Sequence, residues 1–277
     1  MKNSLIILCF ALLLTACDQT ETTKSTQNTT IVQAQDIVWQ QLNPARGDKS
    51  PQAGTLWGNR TGAGAAGFIL KPTDGFESPP HIHNVAYRGV VISGLLHNDD
   101  PTAANMWMPQ GSFWTQPAGE VHITAAKGSN SLAYIEVEDE FKVLPAEQAF
   151  DNGERPVNVD ESNIIWLNAK DIKWVDSVNT IQMAFLWGKP QNNELNGTFV
   201  KMPTAYNSTI ESNSDVFHAV IVQGNVNYND APSAKVIPLQ PASYFNSNGN
   251  AKHALSCEGS QECIVYIRTK GRYGILK

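Results

Sequence analysis

Long apolar runs, clustered positive charge and helical periodicity are all scarce in this 277-residue chain. Its longest uninterrupted apolar run, Leu5–Leu14 (LIILCFALLL), has ten residues, whereas a membrane-spanning helix needs about 20. Its 20 lysines and arginines are outnumbered by 26 acidic residues and form no cluster. This argues against a nucleic-acid partner, because neutralising phosphates needs concentrated positive charge. No stretch shows convincing 3.6-residue apolar periodicity, so helices are not expected to dominate.

The N-terminus carries an export pattern. Lys2 precedes the apolar run, which has the length of a signal-peptide core. The run ends in Leu14-Thr15-Ala16-Cys17, which resembles the lipobox of bacterial lipoproteins. An ordinary signal peptide followed by a chance cysteine is the alternative. The resemblance implies that residues 1–17 are a lipoprotein signal peptide with its lipobox, that Cys17 is lipidated, and that the protein is exported and anchored to the membrane, facing the periplasm or the cell exterior.

Residues 18–36 are predicted to be a flexible tether between that anchor and the folded body. They begin DQTETTKSTQNTT, a polar sequence without hydrophobic periodicity. Such a composition buries too little apolar surface to fold by itself.

Cysteine is also scarce, at four residues. Cys9 lies within the signal peptide, and Cys257 and Cys263 are separated by EGSQE. In an oxidising compartment, a pair across a glycine-containing turn predicts a disulfide that closes a hairpin. A redox or metal pair is the weaker alternative, because the spacing is not C-x-x-C and no histidine lies between the two.

The chain contains an internal repeat. Leu56-Trp57-Gly58 recurs as Leu186-Trp187-Gly188, an offset of 130 (186 − 56). The same offset relates further identical residues: Gly67 and Gly197, Lys71 and Lys201, Val90 and Val220, Gly94 and Gly224. A tandem duplication explains these identities. It predicts an N-terminal domain over 37–145 and a C-terminal domain over 163–277, joined by a linker over 146–162 that is poor in large apolar residues.

Short β-branched and aromatic runs, separated by turn residues, predict an all-β fold. The strands predicted in the first copy are 66–71, 85–93, 104–108, 112–116, 121–125 and 131–137. Many short strands with regular turns favour a sandwich or jelly-roll barrel over a parallel α/β sheet.

The six histidines include an H-x-H pair, His81 and His83. Residues two apart on a strand point to the same face, so both imidazoles can reach one ion. The segment Gly75–His83 (GFESPPHIH) resembles the first cupin motif, which Gly94 closes, and Gly111–His122 (GSFWTQPAGEVH) resembles the second. The resemblance implies two tandem cupin (jelly-roll β-barrel) domains, a bicupin, with a metal site on His81, His83 and His122.

Three neutral imidazoles suit a divalent transition ion, and iron(II), zinc, manganese and nickel remain open. Many cupins add a glutamate after three or four intervening residues, but Tyr87 and Arg88 occupy those positions here. The site is therefore expected to have three ligands and open coordination positions. Tyr87 is predicted to donate a hydrogen bond beside the ligands of the ion or to contact substrate, with packing in the barrel as the alternative.

The second copy is predicted to have lost the site. The offset of 130 places Glu211 and Asn213 at the H-x-H positions, and only His253 remains, with one inserted residue. A single histidine beside Glu and Asn is a poor transition-metal site. His97 is assigned to a polar turn that includes Asn98.

The aromatic residues Phe113 and Trp114 flank the second motif. Alternation along a strand puts them on opposite faces, so at most one of them lines a pocket. Filling of the core is the main alternative for such aromatic side chains.

The first copy also resembles bacterial proteins of the DUF4437 type, which are related to the cupin domain of ChrR-type anti-sigma factors. The segments SPPHIHNVAYRGVVISG, HNDDP and FWTQPAGEVHITAAKG carry this resemblance. One hypothesis is a metal-dependent enzyme, of dioxygenase type for example, that acts on a small organic molecule. The other is a non-catalytic module that binds or senses a metal or small ligand at the membrane. A homodimer is left open.

Overall fold

The computed structural model describes residues 29–277 except 177, 179, 231 and 232. The predicted signal peptide, Cys17 and the first part of the predicted tether lie outside the described residues. The described part consists of 21 β-strands connected by turns and short 3-10 helices. None of its helices is long and apolar enough to cross a membrane.

The first ten strands belong to the N-terminal segment, the first half of the repeat and the segment that connects the two halves. They are β1 (Thr29–Val32), β2 (Trp39–Gln41), β3 (Gln52–Trp57), β4 (Ala66–Lys71), β5 (His81–His83), β6 (Tyr87–Asp99), β7 (Phe113–Gln116), β8 (Ile123–Val137), β9 (Val143–Pro145) and β10 (Val157–Val159).

The remaining strands form the second half. They are β11 (Leu167–Asn168), β12 (Gln182–Gly188), β13 (Leu195–Met202), β14 (Tyr206–Ser212), β15 (Phe217–Gln223), β16 (Asn225–Asp230), β17 (Lys235–Leu239), β18 (Tyr244–Ser247), β19 (Ala251–Glu258), β20 (Cys263–Lys270) and β21 (Gly274–Leu276). The 3-10 helices are Ala34–Asp36, Pro44–Lys49, Ala146–Gln148, Glu161–Asn163, Ala169–Asp171 and Pro190–Asn192.

The N-terminal half is built on a seven-stranded sheet in the order β10-β7-β6-β8-β4-β3-β2. Its two longest strands, β6 and β8, pair with each other through register shifts around Ser93. Such irregularities bend a strand pair. The far ends of β6 and β8 therefore contribute to a second wall of strands in this half. There, β8 forms a bridge with Glu77, and β5 pairs with β9. The two walls enclose an apolar cluster that includes Phe68, Trp114 and Ile135.

The C-terminal half repeats this plan with separate strands. Gly224 divides β15 from β16 at the position where Gly94 bends β6, and both glycines have positive φ (78° and 73°). A Cβ at Gly94 would lie 2.2 Å from Ser131 Oγ, so the bend excludes a side chain. The resulting sheets have the orders β1-β18-β15-β20-β13-β12-β11 and β17-β16-β19-β14-β21.

Each large sheet gains an edge strand from outside its own half. Strand β1 pairs antiparallel with β18 of the C-terminal half, and β10 pairs with β7 of the N-terminal half. Residues 29–32 were predicted to belong to the flexible tether. The prediction is wrong for these four residues, which form a strand. Their sequence TTIV is β-branched and satisfies the backbone groups of an otherwise open sheet edge.

The two large sheets pack against each other through a shared apolar cluster that includes Val90, Phe113, Phe199 and Val220. Reciprocal polar contacts flank it. Arg88 stacks on Trp187 at 3.8 Å, and His218, which follows Arg88 at the repeat offset, stacks on Trp57 at 4.0 Å.

A buried arginine also joins the halves. Arg268, only 2% exposed, donates to Glu138 at 2.7 and 2.9 Å and to Glu136 at 3.3 Å. Both carboxylates come from the N-terminal half, so this ion-pair group connects the two large sheets.

Two local predictions are wrong. The strand expected over 104–108 is reduced to one bridge, between Met108 and Leu96. His97 and Asn98, assigned to a turn, lie in β6 and are each 1% exposed. The polar sequence HND was interpreted as a surface turn, but Asn98 points inward because it is hydrogen-bonded to other buried polar groups.

Candidate metal centre

The histidine cluster is assembled by two chain segments that pair through their backbones. His81 and His83 lie on β5 with both side chains buried, and His122 directly precedes β8. The backbones of His81 and His122 exchange two hydrogen bonds, of 3.0 and 3.1 Å. Residues that exchange both bonds stand directly opposite each other, so their side chains lie on one face.

The turn before His122 fixes its approach. Gly119 has φ of +79° and donates its N–H to the carbonyl of His83 at 2.9 Å. A Cβ at this position would lie 2.4 Å from the carbonyl oxygen of Phe150, so the turn needs glycine both for its backbone angle and for space. The turn thus ties the second motif to the strand that bears the H-x-H pair.

The structure brings the three predicted ligands together. One nitrogen from each of His81, His83 and His122 lies within 4.8 Å of the other two. The side chains are 8%, 4% and 0% exposed, respectively. The cluster is therefore inside the N-terminal half and shielded from bulk solvent.

Backbone carbonyls orient all three rings. The Nδ1 atom of His81 lies 2.9 Å from the carbonyl of Pro79, that of His83 lies 2.9 Å from Lys142, and that of His122 lies 3.0 Å from Glu120. A carbonyl only accepts, so each Nδ1 carries the hydrogen and donates it. The Nε2 atoms keep their lone pairs, so each ring is in a tautomer that can bind a metal through Nε2.

Burial keeps these rings neutral. Desolvation lowers the pKa of His81, lowers that of His83 well below its ordinary value, and lowers that of His122 to about 3. For His83 and His122 the neighbouring imidazoles act in the same direction, because two positive charges would repel each other. Three neutral nitrogen donors are therefore present at physiological pH.

Tyr87, one of two residues that stand where the motif resemblance would place a glutamate, lies beside the cluster. Its hydroxyl oxygen is 3.3 Å from His122 Nε2 and donates to Asn98 Oδ1 at 2.7 Å. Asn98 Oδ1 also accepts from Thr124 Oγ1 at 2.8 Å, and its amide donates to Gln116 at 2.9 Å. Burial raises the pKa of Tyr87, so the phenol stays protonated. Arg88, the neighbouring residue, faces the C-terminal half instead.

A cavity of about 670 Å³ leads from the surface to the cluster, within the usual range for small-molecule sites. His81, His83 and Tyr87 line its inner end, while His122 is fully buried behind them. Its walls are largely apolar and include Phe68, Leu70, Phe76, Trp114, Ile135 and Phe141. Trp114 lines the cavity and Phe113 packs between the halves, as alternation along β7 predicts.

The donor set fits a divalent transition ion. Imidazole nitrogens bind zinc and similar ions at about 2.0–2.1 Å, so two ligands of one tetrahedral ion stand about 3.4 Å apart. The nitrogens of the cluster lie within 4.8 Å of one another, so the widest pair has to approach by about 1.4 Å at most to bind one ion. Three ligands with an open side towards a cavity are typical of catalytic rather than structural metal sites.

The equivalent position in the C-terminal half is filled. His253 is hydrogen-bonded at both nitrogens, to Tyr228 at 2.9 Å and to Ser247 at 3.0 Å. Phe217 stacks on it with ring centroids 4.8 Å apart. Strand pairing puts Ile210 opposite His253, as His81 stands opposite His122, so Glu211 is displaced by one residue from the position that the repeat offset gave.

Cys257 and Cys263 are joined by a disulfide between β19 and β20. The disulfide closes the hairpin of these two strands, as the sequence predicted. Trp107 lies outside the cavity, next to His97 and under the ammonium group of Lys127.

Residues 30–276 match a family described as a domain of unknown function, DUF4437. The chain belongs to the DUF4437 family. No curated protein matches it. The structural comparisons extend well beyond this family and show a cupin-type β fold.

Among solved structures, a candidate dioxygenase from Nostoc punctiforme has a TM-score of 0.63 at 11% identity, over 88% of this chain and 82% of that one. The oxalate decarboxylase–formate complex of Lactobacillus farciminis has a TM-score of 0.56 at 12% identity, over 89% and 88%. Hazelnut vicilin from Corylus avellana has a TM-score of 0.52 at 12% identity, over 87% and 85%. At these identities the likeness establishes the fold alone.

The sequence of this DUF4437 chain did not reveal every residue of the site. Phe141 stacks on His83 at 4.0 Å, and Asn98 holds the hydroxyl of Tyr87. Phe141 lies 58 positions after His83, and no spacing rule connects the two. Asn98 could have been found from the alternation of β6, because Tyr87 and Asn98 both face the interior on either side of the bend.

Proposed function

We propose that this protein is an exported, metal-dependent enzyme that acts on a small organic molecule. The observation that supports this most is the arrangement of His81, His83 and His122, each of which offers one ring nitrogen within 4.8 Å of the other two, beside an open cavity. Structural metal sites are closed by four protein ligands, whereas three ligands leave room for a substrate or water.

The three histidines would hold a divalent transition ion, with iron(II), zinc, manganese and nickel as the alternatives. Such an ion supplies Lewis acidity and, as iron, redox chemistry towards oxygen. The carbonyls of Pro79, Lys142 and Glu120 hold the rings in the productive tautomer.

The hydroxyl of Tyr87, fixed by Asn98, is within reach of a molecule at the inner end of the cavity. We assign it to binding substrate or a water molecule there. The apolar walls exclude other water, which strengthens polar contacts at the site.

Two tandem cupin barrels, the bicupin arrangement, are part of this proposal. Support comes from the repeat offset and from the matching sheets, in which Gly94 and Gly224 bend equivalent strands. The C-terminal barrel would then be structural, because its interior is packed with apolar side chains around His253.

Export and lipidation at Cys17 are also proposed. The apolar N-terminal run and its lipobox-like end support them, and the Cys257–Cys263 disulfide suits an oxidising compartment. Labelling of cells with a radioactive fatty acid is expected to mark the wild-type protein and not a Cys17→Ala variant.

A direct test of the enzymatic proposal combines metal analysis with turnover. Purified protein is reconstituted without oxygen with iron(II), manganese, nickel or zinc, and bound metal is counted by mass spectrometry. We expect one ion per wild-type chain and none in a His81→Ala/His122→Ala variant. The iron(II) protein should consume oxygen with members of a small-molecule panel. Metal binding without any product across the panel would favour the non-catalytic binding module instead.

A further inference from the structure

Two arginines at the outer end of the cavity distinguish it from an ordinary apolar pocket. Arg46, on the segment Pro44–Lys49, is exposed, and Arg60, on the loop after β3, is half-buried; both line the cavity. The guanidinium of Arg46 lies 5.2 Å from the ring centre of Phe76, which forms part of the wall. Both cations therefore border the same space as the histidine cluster.

Neither arginine has a carboxylate partner among the described residues. By contrast, Arg88, Arg155 and Arg268 each form an ion pair with aspartate or glutamate. No acidic residue belongs to the described lining of the cavity, although the chain as a whole carries a net charge of −6. The cavity is thus locally cationic in an acidic protein.

The guanidinium of Arg60 is held in place with part of its donor set unused. One terminal nitrogen donates to Gln40 Oε1 at 2.8 Å. Its Nε is buried and makes no hydrogen bond within the described structure. Burial also lowers the pKa of Arg60, which reflects the cost of holding a charge there without a counter-ion. An anion in the cavity would supply the missing counter-charge and an acceptor for the terminal N–H groups that Gln40 does not use.

We propose that the cavity binds a small organic carboxylate, whose apolar body lies along Phe68, Phe76 and Trp114 and whose carboxylate lies on Arg60 and Arg46. The planar fork of arginine matches a carboxylate in a bidentate manner, and the apolar walls suit a hydrocarbon or aromatic body. The end of the molecule opposite the carboxylate then faces the histidine cluster. Only this last point rests on the proposed enzymatic function.

The test measures binding rather than turnover. Benzoate, phenylacetate, 3-phenylpropionate and octanoate are titrated calorimetrically into metal-free and zinc-loaded full-length protein, each beside its primary amide. The amide keeps shape and size but removes the charge. We expect at least one acid to bind about ten-fold or more tightly than its amide, with or without zinc, because a charge-assisted bidentate contact is lost in the amide.

Variants identify the residues responsible. Arg60→Gln is expected to lower the affinity for the acid about ten-fold and leave that for the amide unchanged, and Arg46→Gln to act in the same direction with a smaller effect, because Arg46 is exposed. Arg155→Gln, which removes an exposed arginine outside the cavity, is the matched control and should change neither affinity. Melting temperature and zinc content are measured for each variant. If Arg60→Gln does not fold, the affinities for acid and amide are compared in Arg46→Gln, which changes an exposed residue.

Three results would overturn the proposal. They are equal binding of acid and amide across the panel, acid binding that survives the Arg46→Gln/Arg60→Gln variant, and about ten-fold tighter binding of phenyl phosphate than of every acid. Failure of the metal site gives a different result, in which zinc does not bind but arginine-dependent binding of the acid persists.

Discussion

The two halves of this chain share a strand plan but differ in what fills it. In the N-terminal half, Tyr87 and Asn98 face a cavity that ends at three histidines. At the equivalent positions of the C-terminal half, Phe217 and Tyr228 pack around one histidine inside a continuous apolar cluster. A few side chains therefore decide whether the same strand plan holds a solid core or a site.

His122 and His253 illustrate the difference most directly, because they occupy equivalent positions and both are fully buried. His122 uses one nitrogen for a backbone carbonyl and turns the other towards two more imidazoles. His253 is bonded at both nitrogens to hydroxyl groups. A histidine at motif spacing is thus a ligand only where its neighbours leave one nitrogen free.

The largest expected effect separates these two histidines. His122→Gln should reduce bound metal from one equivalent to less than about a tenth, because it removes one of only three ligands. His253→Gln should leave metal content unchanged. Zinc is counted by mass spectrometry after reconstitution and dialysis. Metal loss in the His253 variant would contradict the assignment of the C-terminal half as a filled core.

The next largest effect concerns the contact between the halves. Arg268→Ala should lower the free energy of unfolding by about 3–5 kcal/mol, because Glu136, 1% exposed, would lose the buried cation that contacts it most closely. Arg155→Ala, which removes an exposed ion pair with Asp151, should change it by about 0.5 kcal/mol or less. Urea unfolding followed by tryptophan fluorescence measures both. Similar values for the two variants would show that Arg268 does not couple the halves.

A smaller effect depends on pH. Burial lowers the pKa of His253 to about 4, whereas the unfolded chain titrates near 6.5. Between these values the unfolded chain binds a proton that the folded protein does not. The contribution to stability is therefore complete above pH 6.5 and lost as pH falls towards 4, by up to about 1.4 kcal/mol per pH unit.

His253→Gln should remove this dependence, so the variant loses about 2 kcal/mol less than the wild type between pH 7 and pH 5. Urea unfolding at pH 5, 6 and 7 gives the comparison. Parallel pH profiles for the two proteins would mean that His253 titrates normally in the folded state.

The smallest effect makes one N-terminal position resemble its C-terminal equivalent. Tyr87→Phe should cost about 1 kcal/mol or less, because Asn98 Oδ1 keeps its second donor, Thr124. Metal content should not change if Tyr87 only binds substrate or water. Zinc titration and urea unfolding test both statements, and a ten-fold loss of zinc affinity would instead make Tyr87 a ligand.

Much of the fold and part of the site were predictable because they depend on local spacing. The H-x-H pair, the Pro117-Ala118-Gly119 turn and His122 each follow from residues close together in sequence. The strand Ala66–Lys71 has the predicted bounds. The misassignment of Asn98 also comes from using local sequence alone. A short polar sequence resembles a surface turn even where its side chains have buried hydrogen-bond partners.

By itself the sequence determined the β class, the internal repeat of residues at an offset of 130 and the three imidazoles, because alternation, repeat offset and motif spacing are read directly from the order of residues. Only the tertiary structure decided which nitrogens stay free, that Arg46 and Arg60 share the cavity with the histidines, and that β1 joins the large sheet of the C-terminal half while β10 joins that of the N-terminal half. These features depend on groups far apart in the chain. Their contacts, burial and charge balance arise only when the sheets close.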